Sequence, residues 1–233
     1  MKIGGLQKLT LIDYPGKPAA TIFLAGCNFR CPFCYSKELV LPKEIENHPQ
    51  ILEKEVFDFL KERKGFIDGV IICGGEPSIH KELPQFIKKI KDLGFLVKLD
   101  TNGSNPKMLR KLIEEKMVDY VAMDIKGAQK KYEKATGVNI NIEDIKESVK
   151  ILKEGKTDYE FRTTVVPKIH AKEDFLEIGK WIGGNDVKYY LQNFRAEKTI
   201  NPQFEKTKPF LDGYILEIIK EISPFFKICK LRQ

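Results

Sequence analysis

Residues 69–103 read GVIICGGEPSIHKELPQFIKKIKDLGFLVKLDTNG, and their order decides the architecture. A short β-branched run at 69–73 passes through a glycine–proline turn into an amphipathic segment at 83–93. A second apolar run follows at 96–100. Phe86, Ile87, Ile90 and Leu93 fall at helical spacing with lysines on the other face, whereas the flanking runs have strand length and strand composition. Parallel neighbours need a crossover, and the intervening helix supplies one.

The same unit recurs along the chain. Strands are predicted at 20–25, 69–73, 96–100, 120–125, 160–166 and 187–194, and helices at 50–64, 83–93, 106–116, 142–154, 172–182 and 209–222. Pro106 and Pro209 suit first-turn positions. Alternation of this kind implies an α/β fold with a parallel sheet. About six units suit a partial, open TIM-type barrel, with an open doubly wound sheet as the alternative. No Pro/Gly/Ser linker or low-complexity tract interrupts the 233 residues. One domain is therefore expected over 1–233, with a lead-in at 1–16, a core at about 17–195 and a C-terminal helix and tail at 196–233.

Composition narrows the class. Apolar residues make up 42% and charged residues 31% of the chain, which is ordinary for a globular protein and too apolar for a disordered one. No apolar run approaches the ~18–20 residues of a membrane span. The start, MKIGGLQKLTLIDYPGK, has no apolar signal region, so a cytoplasmic location is expected. The net charge of +7 comes mostly from lysines interleaved with glutamates along helices. Clustered basics with stacking aromatics are lacking, so a nucleic-acid partner is not expected.

In either architecture the chemistry gathers at the C-terminal ends of the strands. The unusual residues lie there: Cys27, Cys31 and Cys34 after the first strand, Gly74-Gly75-Glu76-Pro77 after the second, Asp100-Thr101-Asn102-Gly103 after the third, Asp124 and Lys126 at the fourth and Arg162 within the fifth. In a reducing compartment clustered thiols bind metal or do redox work. A structural zinc needs a fourth protein ligand, and none is placed nearby. Thiolates also select iron–sulfur clusters, and three of them leave one iron of a cubane without a protein ligand. Cys73, at the end of an apolar strand, and Cys229, in an apolar tail, read as small buried hydrophobes.

Cys-x-x-x-Cys-x-x-Cys after a first strand, with Phe33 before the last cysteine and GGEP after the second strand, resembles the radical S-adenosylmethionine (SAM) enzymes. The segment 11–17 (LIDYPGK), GCNFRCPFC, DTNG and MDIK together resemble the glycyl-radical-enzyme activating branch. Within it the match is best to the anaerobic ribonucleoside-triphosphate reductase activating proteins. The resemblance implies that Cys27, Cys31 and Cys34 hold a 4Fe–4S cluster whose open iron is chelated by SAM. Reductive cleavage would then yield a 5′-deoxyadenosyl radical. It further implies that Phe33 packs near the adenine, that the Gly74–Gly75 loop meets the SAM amino group with Glu76 as its polar partner, and that Asp100 and Asn102 lie by the ribose or a monovalent cation. Asp124 would balance the sulfonium or help hold that cation, Lys126 would pair with the SAM carboxylate, and Arg162 would act as a second carboxylate clamp.

Two departures bear on the substrate. Tyr35-Ser36 stands where many activating enzymes have His-Asn, with Tyr35 still a cofactor contact, and Leu191-Gln192-Asn193-Phe194 stands where a histidine can occur. Gln192 or Asn193 would substitute there. His80 and His170 read as structural or surface residues, and His48 as a surface residue. The implied partners are a glycyl radical enzyme and an acidic flavodoxin- or ferredoxin-type electron donor, whose docking a mild positive field would aid. A small-molecule enzyme such as a deazapurine synthase, with Ser36 as a metal ligand, and a non-catalytic cluster protein are the competing readings.

Overall fold

The computed structural model describes residues 1–232. Its strands are β1 (Ile3–Thr10), β2 (Ala19–Leu24), β3 (Gly69–Gly74), β4 (Leu96–Thr101), β5 (Tyr120–Asp124), β6 (Asp158–Val165), β7 (Gly184–Asn193) and β8 (Phe226–Arg232). Its helices are α1 (Lys37–Val40), α2 (Pro42–Asn47), α3 (Glu53–Glu62), α4 (Leu83–Asp92), α5 (Pro106–Glu114), α6 (Tyr132–Thr136), α7 (Ile142–Lys153), α8 (Lys172–Ile182) and α9 (Asp212–Ile222). The strands form one sheet in chain order. β1 runs antiparallel to β2 and every later pair is parallel, so β1 and β8 are the edges of an open, partial TIM-type barrel.

The two faces of the sheet have different jobs. Ile22, Leu24, Val70, Ile72, Val97, Leu99, Val121 and Phe161 point outward and are fully buried beneath Val56, Leu60, Ile87, Ile90 and Leu112 of the surrounding helices. Alternation then sends Cys73, Lys98, Asp100, Asp124, Glu160 and Arg162 inward. Tyr14, from the lead-in, fills the N-terminal end of the barrel against Tyr120, with ring centroids 6.1 Å apart. A Cβ at Gly69 would come within 2.9 Å of the Tyr14 ring, so that strand begins on a residue with no side chain. Asn105 caps α5 by accepting from the Met108 N–H, with Pro106 in the first turn as expected. Pro209, by contrast, precedes α9 without entering it.

Two segments depart from the sequence reading. The lead-in contains β1. The apolar tail is strand β8, parallel to β7, with Cys229 half-buried against the core rather than in a loose end. β8 is held by a buried ion pair. Arg232 donates to both oxygens of Glu160 at 2.5 and 2.8 Å, and the Tyr120 hydroxyl donates to the same carboxylate at 2.9 Å. Burial alone would raise the Glu160 carboxyl, yet the Arg232 hydrogen bonds hold it below its ordinary value.

The loop after β6 is fixed by His170, which is buried rather than a loosely placed loop residue. The Val166 N–H donates to Nδ1 at 2.9 Å, so Nε2 carries the proton and donates to the Lys126 carbonyl at 2.9 Å. Burial pushes this imidazole down to about 4.

Arg232→Ala should lower unfolding free energy by about 3 kcal/mol, because Glu160 is left buried and uncompensated. Combining Arg232→Met with Glu160→Gln should recover most of the loss in urea titrations. The unfolded chain takes up a proton at an ordinary imidazole value that His170 refuses when folded. Stability should therefore fall as pH drops from about 6.5 to about 4, by about 3 kcal/mol. A pH series of urea titrations on wild type and His170→Gln should show a steeper slope over this range in the wild type than in the variant.

Candidate active site

A cavity of about 280 Å³ opens at the C-terminal rim of the strands, and its lining joins the three clustered cysteines to residues from β2 through β7. The cysteine loop leaves β2 through Gly26, whose φ of +108° is open to glycine and strained for other residues. It is pinned from two sides. The Gly26 N–H donates to Leu39 O at 2.7 Å and the Arg30 N–H to Thr136 O at 2.8 Å. From the far side, Ile200 and Asn201 donate to the carbonyls of Cys34 and Pro32, each at 2.9 Å. The segment after β7, expected to lie outside the core, thus straps the cysteine loop.

Burial raises all three thiols, Cys27 to about 11 and Cys31 to about 12, while the Lys126 ammonium works in the opposite direction on each. Phe33 is buried and forms part of the cavity wall. Tyr35 stands at the cavity edge, 40% exposed, with the Arg195 guanidinium 5.4 Å from its ring centroid.

Glu76 is the strut between two rim loops. Its carboxylate, 1% exposed, accepts from the Ser78 N–H at 3.0 Å, the Thr101 hydroxyl at 2.6 Å and the Asn102 N–H at 2.6 Å. Burial raises this carboxyl despite those donors. The Asn102 amide donates to Asn28 Oδ1 at 3.0 Å, which ties DTNG to the cysteine loop. Gly74 and Gly75 line the cavity, but the close approach they permit is to the protein's own backbone. A Cβ would lie 2.4 Å from Leu24 O at Gly74 and 2.0 Å from Gly26 O at Gly75.

The charged residues form a single chain. Lys98 donates to Asp100 Oδ1, and Arg162 Nη1 donates to Asp100 Oδ2 at 2.9 Å. Arg162 Nε donates to Asp124 Oδ1 at 3.0 Å, and Lys126 to Asp124 Oδ2 at 2.9 Å. Burial would raise both carboxyls, but Arg162 acts with Lys126 on Asp124 and with Lys98 on Asp100 to hold them below the ordinary range. The Arg162 fork is engaged by these carboxylates instead of standing free as a clamp. The expected cation position is likewise filled by protein N–H groups, so these residues do not fit a free monovalent cation.

Sequence reasoning missed Lys98 and Thr164, and gave Thr101 no role of its own within DTNG. It also placed Cys73 among buried hydrophobes, whereas Cys73 lines the cavity beside Gly74. An isolated lysine inside the apolar run LVKLD was the available signal for Lys98. Gln192 reaches the cavity, whereas Asn193 donates away from it, to Phe210 O at 2.8 Å. His80 and His170 lie outside the lining, and His48 bonds Gly4 O at 2.7 Å instead of standing free at the surface. Among the described residues no three His, Cys, Asp or Glu side chains surround a single-ion position. The three clustered thiols, which line one cavity, do fit a multi-iron cluster, in which each thiolate takes a different iron.

The model of the radical SAM superfamily matches residues 21–182. A Methanocaldococcus jannaschii protein named "Putative glycyl-radical enzyme activating enzyme" is 36% identical over 212 residues, covering 88% of this chain and 84% of its own. A 7-carboxy-7-deazaguanine synthase of Aquifex aeolicus is 33% identical over 89 residues, 38% of each chain. Among solved structures, Streptococcus suis SuiB bound to S-adenosylmethionine superimposes with a TM-score of 0.66 at 13% identity. That match covers 91% of this chain and 52% of SuiB, so the chain spans about half of that structure's length. The family match runs through the cysteine loop, the Glu76 strut and the paired carboxylates alike, and the chain belongs to the radical SAM superfamily, in the branch of its M. jannaschii relative.

Proposed function

We propose that this enzyme activates a glycyl radical enzyme by abstracting hydrogen from a glycine Cα of that partner, with an anaerobic ribonucleoside-triphosphate reductase as the partner. The observation that carries this reading is the near end-to-end similarity to the M. jannaschii relative, coupled to a cavity that gathers all three cysteines at an open rim. Similarity to small-molecule enzymes of the superfamily covers less of the chain, 38% for the Aquifex deazaguanine synthase and 61% for a probable GTP 3′,8-cyclase of Thermococcus kodakarensis, against 88% for the activating enzyme.

Cys27, Cys31 and Cys34 would hold a 4Fe–4S cluster, which would supply the electron for reductive cleavage of SAM to methionine and a 5′-deoxyadenosyl radical, while the protein binds, aims and shields. In this reading Lys126, with three donors and one spent on Asp124, pairs with the SAM carboxylate. Phe33 gives the adenine an apolar wall and Tyr35 borders it. The loop of Gly74 and Gly75 receives the amino group, and Glu76 keeps that loop in register with Asn102. Asp100 and Asn102 face the ribose, and Asp124 faces the sulfonium. Arg162 acts by fixing both carboxylates. The electron donor is a flavodoxin- or ferredoxin-type protein.

The deciding experiment is anaerobic reconstitution with iron and sulfide, reduction, and assay of 5′-deoxyadenosine with and without the candidate reductase, with electron paramagnetic resonance on the partner. A glycyl doublet on the reductase is expected. Turnover of a small molecule without any partner would replace the activase reading by the synthase one. Cys31→Ser should abolish cluster absorbance in an otherwise folded protein. Lys126→Met should retain the cluster and weaken SAM binding by about 10- to 100-fold, the scale of one charge-assisted hydrogen bond. Unchanged SAM affinity in that variant would remove Lys126 from the binding set.

A further inference from the structure

The chain Lys98–Asp100–Arg162–Asp124–Lys126 contains a cation that the SAM reading does not use. Lys98 is fully buried on β4 and its ammonium contacts only Asp100 among the carboxylates. Every carboxylate oxygen of Asp100 and Asp124 already accepts from a protein cation: Lys98 and Arg162 on the first, Arg162 and Lys126 on the second. Three cations therefore face two carboxylates, and the adjoining Glu160 is neutralised by Arg232. A sodium or potassium ion entering here would meet a surplus of positive charge and would have to share carboxylate oxygens that already accept from cationic N–H groups, which is unfavourable.

We infer that Lys98 takes the place of a free monovalent cation at the Asp100–Asp124 pair, so that SAM binding in this cavity relies on the protein's own ammonium and needs no added potassium or sodium. The inference rests on the reading that SAM binds in this cavity. Lys98 is a positioning residue: it does not touch SAM but keeps Asp100, and through Arg162 also Asp124, charged and oriented. Removing the ammonium while keeping the stem, as in Lys98→Met, removes the surplus positive charge and frees Asp100 Oδ1 of its lysine, so that a small cation could bind there. The variant should therefore acquire a cation requirement that the wild type lacks.

The test compares SAM affinity of the reconstituted enzyme in tetramethylammonium chloride with that in potassium or sodium chloride at equal ionic strength. Wild type should change by less than about twofold. Lys98→Met should bind SAM about tenfold more weakly in tetramethylammonium and regain most of that with potassium or sodium, a usual size for coupling between two sites. Sodium NMR line broadening on the protein without SAM gives a readout independent of SAM binding. Wild type should show no potassium-displaceable broadening, and Lys98→Met should show it. Tenfold tighter SAM binding by wild type on adding potassium, or displaceable sodium broadening by wild type, would overturn the inference even if the variant failed to fold. Absence of SAM binding in every buffer would count against the SAM reading, and the wild-type sodium signal would still decide the role of Lys98.

Discussion

A carboxylate inside a barrel has to be neutralised inside the barrel, and much of this rim follows from that constraint. The inner faces of β4, β5 and β6 carry Asp100, Asp124 and Glu160, the first two half-buried at the cavity and the last fully buried, on a sheet whose outer face is sealed by helices. Isolated, such groups would give up their charge. Here each is matched from a different strand or from its own: Lys98 and Lys126 from two residues away, Arg162 across β5, and Arg232 across β7. The pairing lets the rim keep a set of fixed charges around a cavity without collapsing it. It also explains why the last strand is needed, since Glu160 would otherwise have no cation.

Glu76 meets the same constraint by different means. It has no cation and is satisfied by three neutral donors, two of them backbone N–H groups, from loops after β3 and β4. A carboxylate held by three neutral donors makes a rigid joint between the two loops. The joint positions the rim loops, whereas the ionic chain sets the electrostatics within the cavity.

The fold was largely legible because its outer face is periodic: apolar runs of strand length alternate with amphipathic helices, and β2 through β7 fall where the pattern puts them. β8 was not recognised because its apolar residues Phe226, Ile228, Cys229 and Leu231 do not alternate strictly and read as a tail. β1 was obscured by Gly4 and Gly5. The cysteines and GGEP stood out as local clusters. What could not be read is whatever depends on register across strands. Arg162 bridges carboxylates on two other strands, and Cys73 faces inward at the rim rather than ending a run in the core. Lys98 lies two residues from Asp100 on the same inner face, but a lysine in an apolar strand gives no sign of its partner. That Gly74 and Gly75 leave space for the backbone of Leu24 and Gly26 likewise depends on a neighbouring strand and loop that GGEP does not announce.

The strap from residues 199–207 crosses the cysteine loop with two backbone hydrogen bonds and buries Thr199, Phe204 and Thr207. Its partners in that loop, Pro32 and Cys34, are made long before it during synthesis. While the strap is still within the ribosome, the thiols emerge on a segment lacking its outer brace, and iron offered then meets ligands not yet held in place. The cysteine loop therefore takes its final form only after residues 199–207 have emerged, which separates in time the making of the thiols from the completion of their brace.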